Sequence, residues 1–125
     1  MTARGADDPA VDAFFAGRPA SRALFDAVRA CVEAIGPFEL RTSTSQVAFR
    51  RRVGFAYAWV PGDYVRSDVP LVLTVGLRRR DPSPRWKQVV EPRPGRFTHH
   101  LELRAVAEVD DAVRTWLEEA WGAAG

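Results

Sequence analysis

The chain has 125 residues. By surface scaling a chain of this length exposes roughly 20,000 Å² unfolded and about 6,700 Å² folded, which allows one core but not two lobes with a cleft between them. An apolar content of 46% and a charged content of 27% exclude collagen, coiled coil and a disordered polyelectrolyte. No apolar run approaches the ~18 residues of a membrane helix, and MTARGADDPA lacks an apolar signal core. A lone cysteine, Cys31, excludes an internal disulfide and a cysteine-rich zinc site. The expectation is a single cytoplasmic domain over residues 1–125, with a flexible tail at 1–8, no membrane contact and no cofactor.

Asp8-Pro9 is a helix-start signal, an aspartate cap followed by proline at the first helical position, and predicts a short helix over 9–15. Pro19 to Ile35 predicts a second helix, since Leu24, Phe25, Val28, Cys31, Val32 and Ile35 recur at helical spacing. Gly36-Pro37 is expected to stop it through a left-handed glycine cap. Cys31 falls on the apolar stripe and reads as a core thiol.

Beyond Pro37 the apolar period changes from 3.6 to 2. Strands are expected at 38–42, 45–50, 55–59, 71–77 and 97–104. Phe55, Tyr57 and Trp59 alternate with Ala56 and Ala58, so the two faces of that strand meet different surroundings. The bulky stripe is expected to be core, and the other reading is an open platform for planar ligands. Residues 80–96, with prolines at 82, 84, 92 and 94, read as a loop. A last helix starts at Asp110 or Asp111, carries Val113, Trp116, Leu117, Ala120 and Trp121 on its apolar face, and ends at Gly122. Helices segregated from a meander of strands define an α+β fold: a two-layer sandwich of a four- to five-stranded, mainly antiparallel sheet, with the N-terminal and C-terminal helices on one face.

The candidate chemistry is sparse. Neighbours on a strand point to opposite faces, so His99 and His100 cannot both ligate one metal. With no HExxH or CxxC spacing, no metal site is expected. His99 shares its face with Phe97, Leu101 and Leu103 and reads as a core histidine with one hydrogen bond. His100 shares its face with Thr98, Glu102 and Arg104, where an imidazole can act as acid or base. Thr42 to Ser45 supply four hydroxyls outside any nucleophile motif and read as a turn.

The basic residues are seventeen arginines and one lysine, with a net charge of +2. Arg50 to Arg52 and Arg78 to Arg80 each follow a strand. If one strand lies between those two strands, both clusters emerge at the same sheet end, about 10 Å apart. The bland reading is a solvated rim. The functional reading is an anion surface of Arg51, Arg52, Arg78, Arg79 and Arg80 with weak, salt-dependent nucleic-acid binding.

Phe15-Ala16-Gly17-Arg18-Pro19, Ile35-Gly36-Pro37, Thr44 to Arg50, Phe55-Ala56-Tyr57 and Phe97 to Leu103, followed by the Asp110-to-Trp121 helix, occur in an order that resembles the bacterial domain-of-unknown-function family 5655. The resemblance covers about residues 10 to 122. It implies an entry to the second strand similar to Thr-Lys-Ser-Gln, with Thr44 standing where that pattern has lysine. It implies no activity.

The resulting expectation is a non-catalytic binding module for an anionic or planar ligand, with Thr44, Gln46, Arg50, Trp59 and His100 as ligand-binding candidates. The alternatives are a small enzyme using His100 with Thr44 or Ser45, and an interaction domain that self-associates, as a homodimer, through a sheet edge or the proline-rich loop.

Overall fold

The computed structural model describes residues 8–125. Of the tail expected at 1–8, all but Asp8 lies outside the described residues. Asp8 caps the first helix, α1 (Pro9–Phe14), accepting from the backbone N–H groups of Ala10 and Val11 at 3.1 and 3.2 Å. The second helix, α2, spans Pro19–Ile35. The strands are β1 (Glu39–Thr42), β2 (Val47–Arg50), β3 (Gly54–Trp59), β4 (Leu71–Leu77), β5 (Gln88–Arg93) and β6 (Arg96–Leu103), and α3 (Asp111–Ala123) closes the chain. Asp110 caps α3 by accepting from Val113 N–H.

The sheet is open, six-stranded and antiparallel throughout, in the order β1-β2-β3-β4-β6-β5. The helices flank it: α2 and α3 pack on each other, and both touch β4. The total exposed area is 6840 Å², close to the scaling expectation. Phe25, Val28 and Val32 of α2 and Val113, Trp116 and Leu117 of α3 are all buried, as their stripes indicate, and so is Cys31.

Three expectations are corrected. The sheet has six strands, because part of the proline-rich stretch forms β5. An outermost strand needs no N–H on its free side, so Pro92 is tolerated there. Pro94-Gly95, with Gly95 at φ +76°, then supplies the tight turn into β6. Gly36 is extended at φ 167° rather than left-handed. A Cβ there would overlap the Trp121 ring, so glycine is required for close approach.

The third correction concerns the aromatic stripe. In the β2–β3 register Arg50 faces Gly54 while Phe49 faces Ala56, so Phe55 is the extra residue of a bulge. A bulge resets the alternation of faces. Phe55 turns inward, 2% exposed and 6.3 Å from the Phe49 ring. Tyr57 and Trp59 lie on the opposite face and stay half-buried. The inward residues of β3 are therefore Ala56 and Ala58, both fully buried, and their small size lets α3 approach β3 and β4 closely.

One outcome follows. Ala58→Leu inserts three carbons between sheet and helix and should cost about 1–3 kcal/mol, seen as a lower urea midpoint with an unchanged slope. An unchanged midpoint would mean the alanines are not the contact surface.

Candidate functional site on the sheet face away from the core

The register arranges the sheet in rows. Phe49, Ala56, Val75, His99 and Val89 stand opposite one another on the core side. The next row, Ala48, Tyr57, Thr74, His100 and Gln88, lies on the other side. The two histidines thus point apart, as adjacent strand residues must.

His99 is fully buried. Its Nε2 accepts the backbone N–H of Asp81 at 3.0 Å, and its ring packs on Trp86, which packs on Trp116. Asp81 also accepts from Trp86 Nε1 at 2.9 Å and pairs with Arg79 at 2.9 Å. This cluster fastens the 78–87 loop to the core, and that loop delivers Lys87 and Gln88 to the opposite face. An acceptor Nε2 leaves the proton on Nδ1, which is buried without a hydrogen-bond partner among the described residues.

His100 enters a cavity of about 520 Å³. The floor holds Trp59, Val72 and His100. One wall is the 65–69 segment, including Arg66, and the other is Lys87 and Gln88. The buried hydroxyl of Thr74 ties the two rings together: Trp59 Nε1 lies 3.0 Å and His100 Nδ1 2.7 Å from its oxygen. Indole N–H can only donate, so Thr74 Oγ1 accepts from Trp59. Oγ1 keeps a second lone pair and its own proton, so the His100 contact has two arrangements: a hydroxyl donating to Nδ1 leaves the imidazole proton on Nε2, and an Nδ1–H donating to Oγ1 leaves Nε2 as the free acceptor. The Trp59 and His100 rings meet edge to face at 6.2 Å. Arg104 is paired with Asp68 at 3.1 Å. Arg66, Lys87 and Glu102 make no ion pair among the described residues.

Of the ligand-binding candidates, Trp59 and His100 are brought together. Thr44 and Ser45 occupy the β1–β2 turn, where Ser43 Oγ accepts the N–H groups of Ser45 and Gln46. Because β3 and β4 intervene between β2 and β6, neither Thr44 nor Ser45 is the hydroxyl partner of His100. That partner is Thr74, which becomes its neighbour only through the β4–β6 register. Gln46 sits just before β2, and Arg50 lies at the far end of that strand, facing Glu39 and Gly54.

The arginine triplets do emerge at one sheet end, with Arg52 and Arg78 lining the same recess. The arginines there differ in duty. Arg51 stacks 3.6 Å from the Trp121 ring centre and donates to Trp121 O at 2.8 Å. Arg79 grips Glu119 through two bonds of 2.9 Å, and Arg80 lies 5.6 Å over Phe97. Arg51 and Arg79 are thus structural contacts as well as charges. Among the described residues no group of three or more His, Cys, Asp or Glu side chains could hold a metal ion. No described helix is long and apolar enough to cross a membrane.

These features define a small α+β domain with one buried and one pocket-facing histidine on a single strand. Residues 11–124 match the family model described as domain of unknown function DUF5655, and the chain belongs to that family. No curated protein and no solved structure matches it.

Burial holds the pKa of both histidines below the usual 6.5, and for His100 the neighbouring His99 adds to the effect. Well above pH 6.5 both are neutral in folded and unfolded chains, and they contribute no pH dependence there. Below it the unfolded chain takes up protons that the folded chain refuses, so stability falls as pH falls. Urea unfolding should give a smaller free energy at pH 5.5 than at pH 7.5, with a smaller difference in His100→Gln. A free energy that is constant or rises toward pH 5.5 would contradict this.

Proposed function

We propose that this domain is a binding module whose site is the Trp59–His100 pocket, and that its ligand is a small planar molecule bearing an anionic group. The observation carrying this reading is one buried hydroxyl that orients two aromatic rings at the floor of a cavity with unpaired cations on its walls. Cavities of a few hundred Å³ with few, fixed polar groups are the usual form of small-molecule sites. Trp59 supplies a stacking surface, and with the Thr74 hydroxyl donating to Nδ1, His100 Nε2–H supplies a neutral donor. Lys87 and Arg66 attract the anionic group, while Glu102 accepts from a donor on the ligand. A cytoplasmic setting belongs to the same reading.

A second reading is catalytic, and the His100–Thr74 contact favours it. With Nδ1–H donating to Thr74 Oγ1, the Nε2 lone pair is left free for the pocket and can take up a proton. Thr74 itself is engaged by both rings and serves as the orienting group, not a nucleophile. Self-association through a sheet edge has less support: Pro92 interrupts β5, and β1 carries the charges of Glu39 and Arg41, both devices that discourage edge pairing.

The test is a titration of the labelled protein with quinoline-2-carboxylate, followed at the Trp59 indole N–H and the His100 ring nitrogens. Saturable shifts confined to this pocket, weakened about tenfold or more by Lys87→Gln with Arg66→Gln, are expected. Absence of saturable shifts, or equal binding by that double variant, argues against the anionic planar ligand.

A further inference from the structure

At the end of the sheet where β4 and α3 finish, a second cavity of about 410 Å³ is walled by Arg52, Arg78, Arg93 and Arg96, with no acidic side chain in its lining. Arg52 and Arg78 come from the two triplets. Arg93 and Arg96 come from the β5–β6 hairpin, where they stand directly opposite each other in the register. Like charges opposed across a strand pair destabilise it unless an anion intervenes. The negative end of α3 does not fill that role, because its last carbonyls are already satisfied. Trp121 O accepts from Arg51 at 2.8 Å, Ala123 O from Arg78 at 3.0 Å, and Ala124 O from the N–H groups of Arg52 and Val53 at 3.0 and 3.3 Å. Glu91, the acid of the same hairpin, accepts Gly95 N–H at 3.1 Å and is not part of the wall. Gly125 also lines the cavity and brings one backbone carboxylate, so four guanidinium groups against it leave positive charge in excess around a concave space.

The rest of the wall says what kind of anion fits. Gly76 and Gly95 expose backbone, the buried Gly54 gives its carbonyl to Arg96 at 3.4 Å, and the one aromatic lining residue, Phe55, is 2% exposed and gives no stacking surface. A nucleobase therefore finds no partner here, whereas guanidinium forks match phosphoryl oxygens two at a time. We propose that this recess binds a compact, multiply charged phosphoryl anion of the class of a condensed phosphate or a phosphomonoester terminus. Arg93 and Arg96 act as its outer jaw, with Arg52 and Arg78 behind. The site is independent of the Trp59–His100 pocket, which lies around the opposite end of β4.

Calorimetric titration of the full chain with sodium tripolyphosphate at low ionic strength tests this. Saturable one-to-one binding is expected. Arg93→Gln combined with Arg96→Gln should weaken it by about tenfold or more while leaving the melting temperature unchanged or raised, because a repulsive pair has been removed. Arg41→Gln, on the far edge strand, should change the affinity less than twofold. The proposal is overturned by the absence of saturable binding, or by equal weakening in Arg41→Gln, which would mean diffuse attraction alone. It is also overturned if a thymidine decanucleotide binds more tightly than tripolyphosphate, since the ligand would then be a nucleic-acid strand.

Discussion

The pleat of β6 is the constraint on which the rest of the molecule turns. Two histidines stand side by side there, and strand geometry forces their rings to opposite faces. His99 goes into the core, where the Asp81 backbone and Trp86 meet it. His100 goes out, where Thr74 meets it. The inward ring fastens the loop that leads to β5, and the end of that loop and the start of β5 bring Lys87 and Gln88 to the cavity holding the outward ring. Lys87 N–H donates to His100 O at 2.7 Å, so the wall is pinned to the strand that carries the site. Site and scaffold share one backbone segment, and a shift of β6 by one residue would exchange a core group for a pocket group.

Polar groups on both faces of the sheet are matched with few exceptions. Thr74 sits in a strand whose other residues are nearly all buried apolar side chains, and its hydroxyl is satisfied by two partners. An unsatisfied buried donor costs about 1–3 kcal/mol. The Nδ1 of His99 and a terminal nitrogen of Arg29 are the buried side-chain atoms left without a bond among the described residues. At the far end, arginines perform a job usually given to helix caps: Arg51 and Arg78 hold the final carbonyls of α3 against the sheet.

Much of the fold was legible because it rests on periodicity. The α2 boundaries, the caps at Asp8 and Asp110, the inward stripe of α3 and the divergence of the histidines all follow from local spacing. The common exit of the arginine triplets follows from strand alternation once β3 lies between β2 and β4. What escaped depends on pairing between segments distant in sequence. β5 was hidden because prolines signal a loop unless the strand is known to be outermost. The outward turn of Tyr57 and Trp59 was hidden because the bulge at Phe55 leaves no local signature. Of the site, Trp59 and His100 could be named from the sequence. Thr74 could not, since it becomes the neighbour of His100 only when β6, rather than β5, pairs with β4. Arg93 and Arg96 were likewise unremarkable until the hairpin placed them face to face.

The central claim is that the Thr74 hydroxyl, by donating to Nδ1, sets the proton position of His100 and so determines what the pocket offers a ligand. Long-range proton–nitrogen correlation of the imidazole at pH 7.5 reads this directly. The account expects His100 with its proton on Nε2 and an unprotonated, hydrogen-bonded Nδ1, a preference that Thr74→Val abolishes. A proton on Nδ1 in the unaltered protein, or an unchanged pattern in Thr74→Val, would contradict it.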